Sequence, residues 1–385
     1  MTVNLLRFPP SISFGPEAAR RVGAEAKRFG ALKALIITDD FLVSSGAINT
    51  ITESLKAEGL GWEIYQGVNS EPTLAHVAEG LEKLASSGAE VIVAFGGGSP
   101  LDVAKAVGAM KVNPGRIQDY MGADKFALDG LPLIAIPTTA GTGSEATGVT
   151  IITDTETDVK MLISSPRIMP KVALVDPLLT LGMPKGLTAA TGLDALTHAI
   201  EAYVSVKAQP MTDILALSAI ELISQNLPVA YAEPKNLEAR SKTMLGALQA
   251  GMAFSNSSVA LVHGMSRPVG ALFHVAHGVS NAALLGVVMD FSLPGDYRRY
   301  AQVAVAMGLA DLGSDEKTAR SGAGKVREII SCLDVPTLTA LGVSREKLEP
   351  VVAKMAEDAI KSGSPGNNPK VATKEEIIQL YFAAL

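Results

Sequence analysis

Cysteine is almost absent from this chain, with one residue, Cys332, among 385. A single thiol cannot form an intrachain disulfide, which excludes the small secreted folds that depend on such bridges. The N-terminus also lacks a basic segment followed by a long apolar one, so no signal peptide is predicted. We therefore expect a cytoplasmic protein in which Cys332 is a small buried hydrophobic residue.

Long apolar runs and an excess of positive charge are also missing. A membrane-spanning helix needs about 20 apolar residues, and stretches such as residues 279–289 are shorter. The chain has 33 basic against 39 acidic side chains and a net charge of -6, which leaves no basic footprint for nucleic acid. We expect neither a membrane nor a nucleic-acid partner, and the length indicates two domains or one large one.

The first half of the chain alternates short Val- and Ile-rich runs with segments of helical spacing. Helices are predicted at 47–59, 74–88 and 101–112. Strands are predicted at 32–38, 62–68, 91–95, 131–137, 149–153, 159–164 and 171–176. Apolar strands separated by helices indicate a parallel sheet covered on both faces.

The pattern changes after Pro177, where amphipathic stretches follow one another without strand-like runs. They occupy 185–204, 211–226, 235–254, 256–273, 296–307, 316–333, 345–361 and 373–384. We predict an α/β domain with a Rossmann-like parallel sheet over residues 1–180 and an all-helical domain over residues 181–385.

Two small-residue loops follow predicted strands directly. Gly96, Gly97, Gly98 and Ser99 follow one strand and open a helix, where free amides suit a pyrophosphate. Residues 137–145 follow another strand, and parallel strands present their carboxyl ends at one edge of a sheet. Nucleotide binding is favoured over ligand-free turns. Asp39 ends the first strand, where it is either a ribose ligand that selects NAD or a helix cap.

Four of the five histidines lie in the predicted helical half. Asp194 and His198 are four residues apart and therefore share one helix face, while His263 and His277 are each followed by glycine. One carboxylate and three imidazoles suit a divalent metal such as Fe(II), Zn(II), Co or Ni. Surface pairing and core packing are the alternatives. His274 and His277 also lie at helical spacing, so the residues leave open which of them binds.

These motifs together are highly specific. GGGSPLDVAK (96–105), PTTAGTGSEAT (137–147), the segment 176–203 and VHG followed after 12 residues by HG resemble the iron-containing alcohol dehydrogenases. The resemblance runs in order from the first strand to residue 290. It implies an NAD(P)-binding domain, a helical domain, and a cleft that holds the cofactor and the metal.

Residue roles follow from the resemblance. It implies metal ligation by Asp194, His198, His263 and His277, which leaves His274 without an assigned ligand role. Contacts to NAD are implied for Asp39, Gly96, Gly97, Gly98, Ser99, Asp102, Thr138, Thr139, Thr142, Lys160 and Leu179. An apolar substrate pocket is expected from Val149, Leu162 and Phe254.

Two positions depart from the family pattern. Glu71 stands where the family usually has asparagine, and Arg267 stands where it commonly has a histidine thought to assist proton release. An arginine cannot act as a general base, so proton release would use the cofactor ribose, water or His274. Arg267 would instead bind an anionic substrate group, or form a salt bridge within the helical domain.

The resemblance implies hydride transfer between NAD(H) and a small alcohol or aldehyde, which the arginine extends to hydroxyacids and semialdehydes. The expected metal is Fe(2+), with Zn(2+) or another divalent ion as alternatives. A polyol dehydrogenase resembling glycerol dehydrogenase and an NAD- and metal-dependent lyase resembling dehydroquinate synthase are the alternative functions. A homodimer or larger homo-oligomer is expected.

Overall fold

A computed structural model describes residues 3–157 and 159–385. The chain divides into two compact units. The α/β unit spans Arg7–Leu181, and the helical unit spans Gly182–Leu385 together with the described residues that precede Arg7.

All strands of the described residues lie in the α/β unit. They are β1 (Ser11–Phe14), β2 (Lys33–Ile37), β3 (Gly61–Tyr65), β4 (Val91–Gly96), β5 (Gly122–Ala123), β6 (Leu133–Pro137), β7 (Val149–Asp154), β8 (Val159–Ser164) and β9 (Val172–Val175). The helices of this unit are α1 (Val22–Arg28), α2 (Asp40–Ser44), α3 (Asn49–Ala57), α4 (Leu74–Ser87) and α5 (Gly98–Met110).

The principal sheet is parallel throughout, in the order β1-β9-β6-β4-β2-β3, which confirms the predicted class. Alternate residues of its central strands enter two separate cores. In β2, Leu35 and Ile37 belong to one core, while Ala34 and Ile36 belong to the other. This division follows from the two-residue period of a strand, and it explains why these strands are apolar without interruption.

Two predicted strands exist but belong to a different sheet from the one expected. Residues 149–153 and 159–164 were expected to continue the parallel sheet, but β7 and β8 pair antiparallel with each other, and β8 also pairs with β5. A short polar segment joins β7 to β8 where a parallel crossover needs about a dozen residues. The short strand β1 was not predicted at all, because SISF carries no apolar run.

The helical unit contains α6 (Lys185–Val204), α7 (Pro210–Ala232), α8 (Leu237–Asn256), α9 (Leu261–Phe273), α10 (His277–Ser292), α11 (Tyr297–Ala306), α12 (Asp315–Cys332), α13 (Arg345–Leu348), α14 (Val352–Lys361) and α15 (Lys374–Ala383). The stretch 345–361, predicted as continuous, is broken between α13 and α14. Pro350 lies in the break and cannot donate a helical hydrogen bond.

Three further details differ from expectation. α10 was absent from the predicted helices, because its segment is apolar on nearly every side. Cys332 is exposed at the end of α12, so the prediction of a buried thiol is wrong. One helix within the described residues, α7, is long and apolar enough to cross a membrane, although core helices of soluble proteins meet the same criterion. α7 packs against α6 and α8.

Candidate functional site

The glycine turn between β4 and α5 requires residues without side chains. Gly96 has φ +155°, and a Cβ atom there would lie 2.6 Å from Cγ of Pro100. A Cβ atom on Gly98 would lie 2.9 Å from Cγ2 of Thr142. α5 begins at Gly98, so Gly98 and Ser99 present amides of the first helical turn, which have no partner within the helix.

The two small-residue loops lie side by side, as expected. Gly96 is in register with Pro137 across the parallel pair β4 and β6. The amide of Thr138 donates to the carbonyl of Gly96 at 2.9 Å, and Oγ1 of Thr142 accepts from the amide of Ser144 at 3.2 Å. Thr138 is buried, and Thr139 is half-buried. Together the loops form one backbone-lined edge that suits a phosphate ester.

A buried lysine connects α5 to the second loop. Nζ of Lys105 donates to Oγ of Ser144 at 2.6 Å, to Oγ1 of Thr147 at 3.0 Å and to the carbonyl of Val149 at 2.7 Å. The carboxylate of Asp102 accepts from Ser144 at 2.7 Å and from the amide of Ile151 at 2.9 Å. Both oxygens of Asp102 are therefore used inside the protein, and its predicted contact to NAD stays a prediction.

The remaining predicted NAD residues lie elsewhere in the α/β unit. Oδ1 of Asp39 accepts from the amide of Leu42 at 2.8 Å, so Asp39 does cap α2, the alternative recognised from the sequence. Nζ of Lys160 lies 2.5 Å from a carboxylate oxygen of Glu71. A residue predicted to bind NAD thus pairs with the glutamate that replaces the family's usual asparagine. Leu179 lies in a short helical turn after β9 and packs on the sheet core.

The proposed metal ligands come from three helices of the helical unit. Asp194 and His198 lie on α6, His263 lies on α9, and His277 begins α10. Nε2 of His263 and Nε2 of His277 lie 3.6 and 3.7 Å from Oδ1 of Asp194. Asp194, His263 and His277 each offer a ligand atom within 4.8 Å of the others.

His198 stacks beside this group. Its ring centroid lies 4.4 Å from that of His263 and 4.2 Å from that of Phe254. Its Nδ1 lies 3.9 Å from Oδ2 of Asp194. The structure thus brings together all four residues of the proposed metal site, with Phe254 against one of them.

Burial and charge oppose each other at these ligands. Burial raises the pKa of Asp194, but the neighbouring histidines outweigh it and hold that pKa well below its ordinary value. Burial lowers the pKa of His263, but the carboxylates of Glu201 and Asp194 outweigh it and raise that pKa to about 9. Both shifts show that the buried carboxylates of Asp194 and Glu201 favour positive charge on the groups beside them. Such an environment is expected of a cation site.

Asn281 was not identified from the sequence, although it lies four residues after His277 on α10. Its Nδ2 donates to Oδ1 of Asp194 at 2.6 Å and lies 3.2 Å from Nε2 of both His263 and His277. Its Oδ1 is buried without a hydrogen-bond partner among the described residues. The carboxylate oxygen of Asp194 and the Nε2 atoms of His263 and His277 thus surround the amide NH₂ group of Asn281. One carboxylate oxygen and two imidazole nitrogens are a donor set that fits a divalent metal ion.

Glu201 was also missed, and helical spacing is its only sequence signal. It lies seven residues after Asp194 on α6, which places both on one face of the helix. Its carboxylate accepts from Nδ1 of His263 at 2.6 Å. Sequence motifs identify the proposed ligands themselves. The contact between Glu201 and the ligand His263 forms only when α6 packs against α9.

Arg267 follows His263 by one turn of α9. The side chain is half-buried, and burial lowers its pKa while the charge of Glu201 opposes that effect. Within the two described stretches of the chain, Arg267 has no hydrogen bond and no ion pair. Glu201 is nevertheless a buried carboxylate whose charge acts on Arg267, so the alternative of pairing within the helical unit stays a prediction. His274 is exposed and directly follows α9 as its C-cap residue with φ +54°, and its role in proton release stays a prediction.

The three predicted pocket residues are divided between the units. Phe254 lies on α8, whereas Val149 and Leu162 lie on β7 and β8. Val149 and Leu162 are half-buried and occupy neighbouring strands of the small sheet. Their grouping with Phe254 into one pocket stays a prediction.

Two family models match consecutive parts of the chain. "Iron-containing alcohol dehydrogenase" matches residues 9–177, and "Fe-containing alcohol dehydrogenase family, C-terminal" matches residues 188–385. The chain is 40% identical over 376 residues to lactaldehyde reductase of Escherichia coli strain K12, covering 96% of this chain and 97% of that one. It is 37% identical over 385 residues to NAD-dependent methanol dehydrogenase of Bacillus methanolicus, covering 98% and 99%.

A solved structure of 1,3-propanediol oxidoreductase superposes over the whole of both chains. The TM-score is 0.97 at 37% sequence identity, with 100% of each chain covered.

Proposed function

The chain belongs to the iron-containing alcohol dehydrogenase family, and from that premise we propose that Asp194, His198, His263 and His277 hold its metal ion. The protein is an NAD-dependent oxidoreductase of small alcohols and aldehydes. The observation that supports the ligand set is the convergence of Asp194, His263 and His277 within 4.8 Å, with His198 stacked on His263. The family implies iron, and the donor set also suits zinc.

The residues of the chain bind and orient the metal ion and NAD. When bound, the metal ion supplies positive charge that favours the ionised alcohol oxygen, and NAD supplies the hydride acceptor. Gly98 and Ser99, in the first turn of α5 and next to the loop at Thr138, present amides for the pyrophosphate. Phe254 covers one face of His198 and keeps water away from that side of the ligand.

The metal assignment is tested by His263→Ala. Because His263 is one of four proposed ligands, we expect the variant to lose most bound iron or zinc in elemental analysis and to lose NAD reduction with a primary alcohol. Circular dichroism should show retained helix. Phe254→Leu, beside the site but without a donor atom, is the control that should keep its metal. Wild-type metal content in His263→Ala would refute the ligand set.

We further propose that Arg267 selects substrates that carry a carboxylate, namely hydroxyacids and semialdehydes. Its guanidinium has no ion pair within the described residues and follows the ligand His263 by one helical turn. A half-buried guanidinium that no carboxylate of the described residues contacts directly can bind a substrate carboxylate through two hydrogen bonds, while the charge of Glu201 acts on it from farther away.

Two aldehydes of equal chain length test this preference, butanal and 4-oxobutanoate. We expect Arg267→Ala to lower kcat/KM for 4-oxobutanoate by about 100-fold, which corresponds to about 3 kcal/mol for a lost charged hydrogen-bond pair. The value for butanal should change less than about threefold, and the exposed Arg298→Ala serves as control. Equal losses for both aldehydes would exclude Arg267 from substrate selection.

A homodimer or larger homo-oligomer and a cytoplasmic location stay predictions from the sequence. The matched relatives are named as oxidoreductases of alcohols, diols and aldehydes, and we therefore do not propose the lyase alternative.

A further inference from the structure

Glu201 is a buried carboxylate that takes no part in the reaction as proposed. It is 3% exposed and lies on α6, three residues after His198 and seven after Asp194. Its Oε2 accepts from the amide of Ala260 at 2.9 Å and from Nδ1 of His263 at 2.6 Å. Its Oε1 accepts from the amide of Val262 at 2.6 Å. Three donors from one short segment therefore converge on one side chain.

Two of these donors belong to the start of α9. The residue that precedes the helix, Ala260, has no side chain able to cap it. Amides in the first turn have no partner within a helix, and the end at which they lie favours negative charge. Glu201 supplies both the acceptor and the charge from a different helix. It therefore fixes where α9 begins relative to α6, which carries two of the proposed ligands.

The third donor is the imidazole of His263. In the neutral imidazole that binds a metal ion, a hydrogen bond from Nδ1 to a carboxylate places the ring proton on Nδ1 and leaves the lone pair on Nε2. Nε2 is the atom that lies 3.6 Å from Oδ1 of Asp194. A carboxylate behind a ligating imidazole fixes its tautomer and orientation and makes it a stronger donor. Glu201 cannot rotate away from His263 without also leaving buried amides unpaired.

We infer that Glu201 is a positioning residue that presets His263 for the metal ion by fixing both the ring tautomer and the start of its helix. The inference rests on the proposed ligand set. It goes beyond that set because it assigns part of the metal affinity to a residue that does not touch the ion.

Glu201→Gln tests the inference with Co²⁺ as the only ligand. Glutamine keeps the shape but turns an NH₂ group toward one of the three donors. We expect the Kd for Co²⁺, measured by chelator competition, to rise about 10- to 100-fold. The visible absorption of bound Co²⁺ should also change, because the orientation of one imidazole changes.

Asn236→Ala is the matched control. Asn236 caps α8 in the same unit, where its Oδ1 accepts from the amide of Ala239 at 3.0 Å. Loss of this cap should lower the thermal unfolding temperature and leave both the Co²⁺ affinity and the spectrum at wild-type values. If Glu201→Gln behaves in this same way, Glu201 is a helix cap only and the inference is wrong.

Nuclear magnetic resonance of ¹⁵N-histidine in the Zn²⁺-loaded wild type gives a second measurement that needs no folded Glu201 variant. His263, assigned through the backbone resonances of residues 262–264, should carry its proton on Nδ1, and an unprotonated Nδ1 would overturn the inference. His263→Ala also separates the two proposals. If it keeps Co²⁺ affinity, the ligand set fails; if it loses affinity while Glu201→Gln does not, only the role of Glu201 fails.

Discussion

Lys105 and Glu145 are two ionisable side chains buried in the α/β unit beside the small-residue loops. They are 1% and 4% exposed. Burial lowers the pKa of Lys105 to about 8 and raises the pKa of Glu145 to about 7. Both pKa values move toward neutrality, so these two groups change charge closer to pH 7 than they would in water.

Glu145 makes the stability of this unit depend on pH with a definite sign. Its pKa rises from 4.5 to about 7 on folding, so between these values the folded chain keeps a proton that the unfolded chain releases. Stability contributed by the protonated acid is therefore lost as pH increases through this window. Glu145→Gln imitates the protonated acid, and we expect its stability advantage over wild type to grow by roughly 1 to 3 kcal/mol between pH 5 and pH 7.5.

Thermal unfolding of the wild type and Glu145→Gln at both pH values measures this difference. Glu82→Gln changes an exposed glutamate of α4 and should follow the wild type at both. If the difference in unfolding free energy between Glu145→Gln and wild type is the same at both pH values, Glu145 is ionised throughout this range.

The site residues found from the sequence are those whose role leaves a local signature. Asp194 and His198 share a helical spacing, and Gly96 directly follows a buried strand. Glu201 and Asn281 share only a helical spacing with Asp194 and His277, and this spacing does not distinguish them from other residues on the same helix faces. A glutamate within a helix is usually solvated, and only the approach of α9 to α6 gives Glu201 its three donors.

At the scale of secondary structure, glycines set how closely the ligand-bearing helices approach their neighbours. A Cβ atom on Gly278 would lie 2.2 Å from the carbonyl oxygen of Ala190 on α6. A Cβ atom on Gly264 would lie 2.6 Å from Cγ of Pro365. The glycine after His263 and the one after His277 are therefore packing requirements. The paired His-Gly sequences contain this information, but their spacing alone does not say which helix each glycine meets.

Helices and strands with a clear hydrophobic period were predicted well. Those whose surroundings depend on contacts with distant parts of the chain were not. α6 has its predicted bounds, and β2 and β4 lie close to theirs. β7 and β8 have strand patterns that do not depend on which sheet they join, and only the short segment between them indicates their antiparallel pairing. α10 is apolar on most sides because neighbouring helices surround it, and an amphipathic period is consequently absent.

For the whole molecule, the two proposed ligand sets fall in different compact units. The glycine turn and the second loop belong to Arg7–Leu181, and Asp194, His198, His263 and His277 belong to Gly182–Leu385. A ligand that binds only the folded form of a unit stabilises that unit through its own affinity. Metal and NAD should therefore protect different parts of the chain against opening.

Hydrogen exchange of the full-length protein, with peptides resolved by mass spectrometry, tests this division. Zn²⁺ at about 100 times its Kd adds roughly 3 kcal/mol to the stability of the folded form and should slow exchange from globally opening amides about 100-fold. We expect the slowing in α6, α9 and α10, and removal of Zn²⁺ by a chelator should reverse it there. NAD at the same multiple of its Kd should slow exchange in β4, α5 and β6 even in His263→Ala, which has lost the proposed metal ligand. Protection by Zn²⁺ that is equal in β4 and α6 would contradict the division, because it would mean that the metal stabilises both units together.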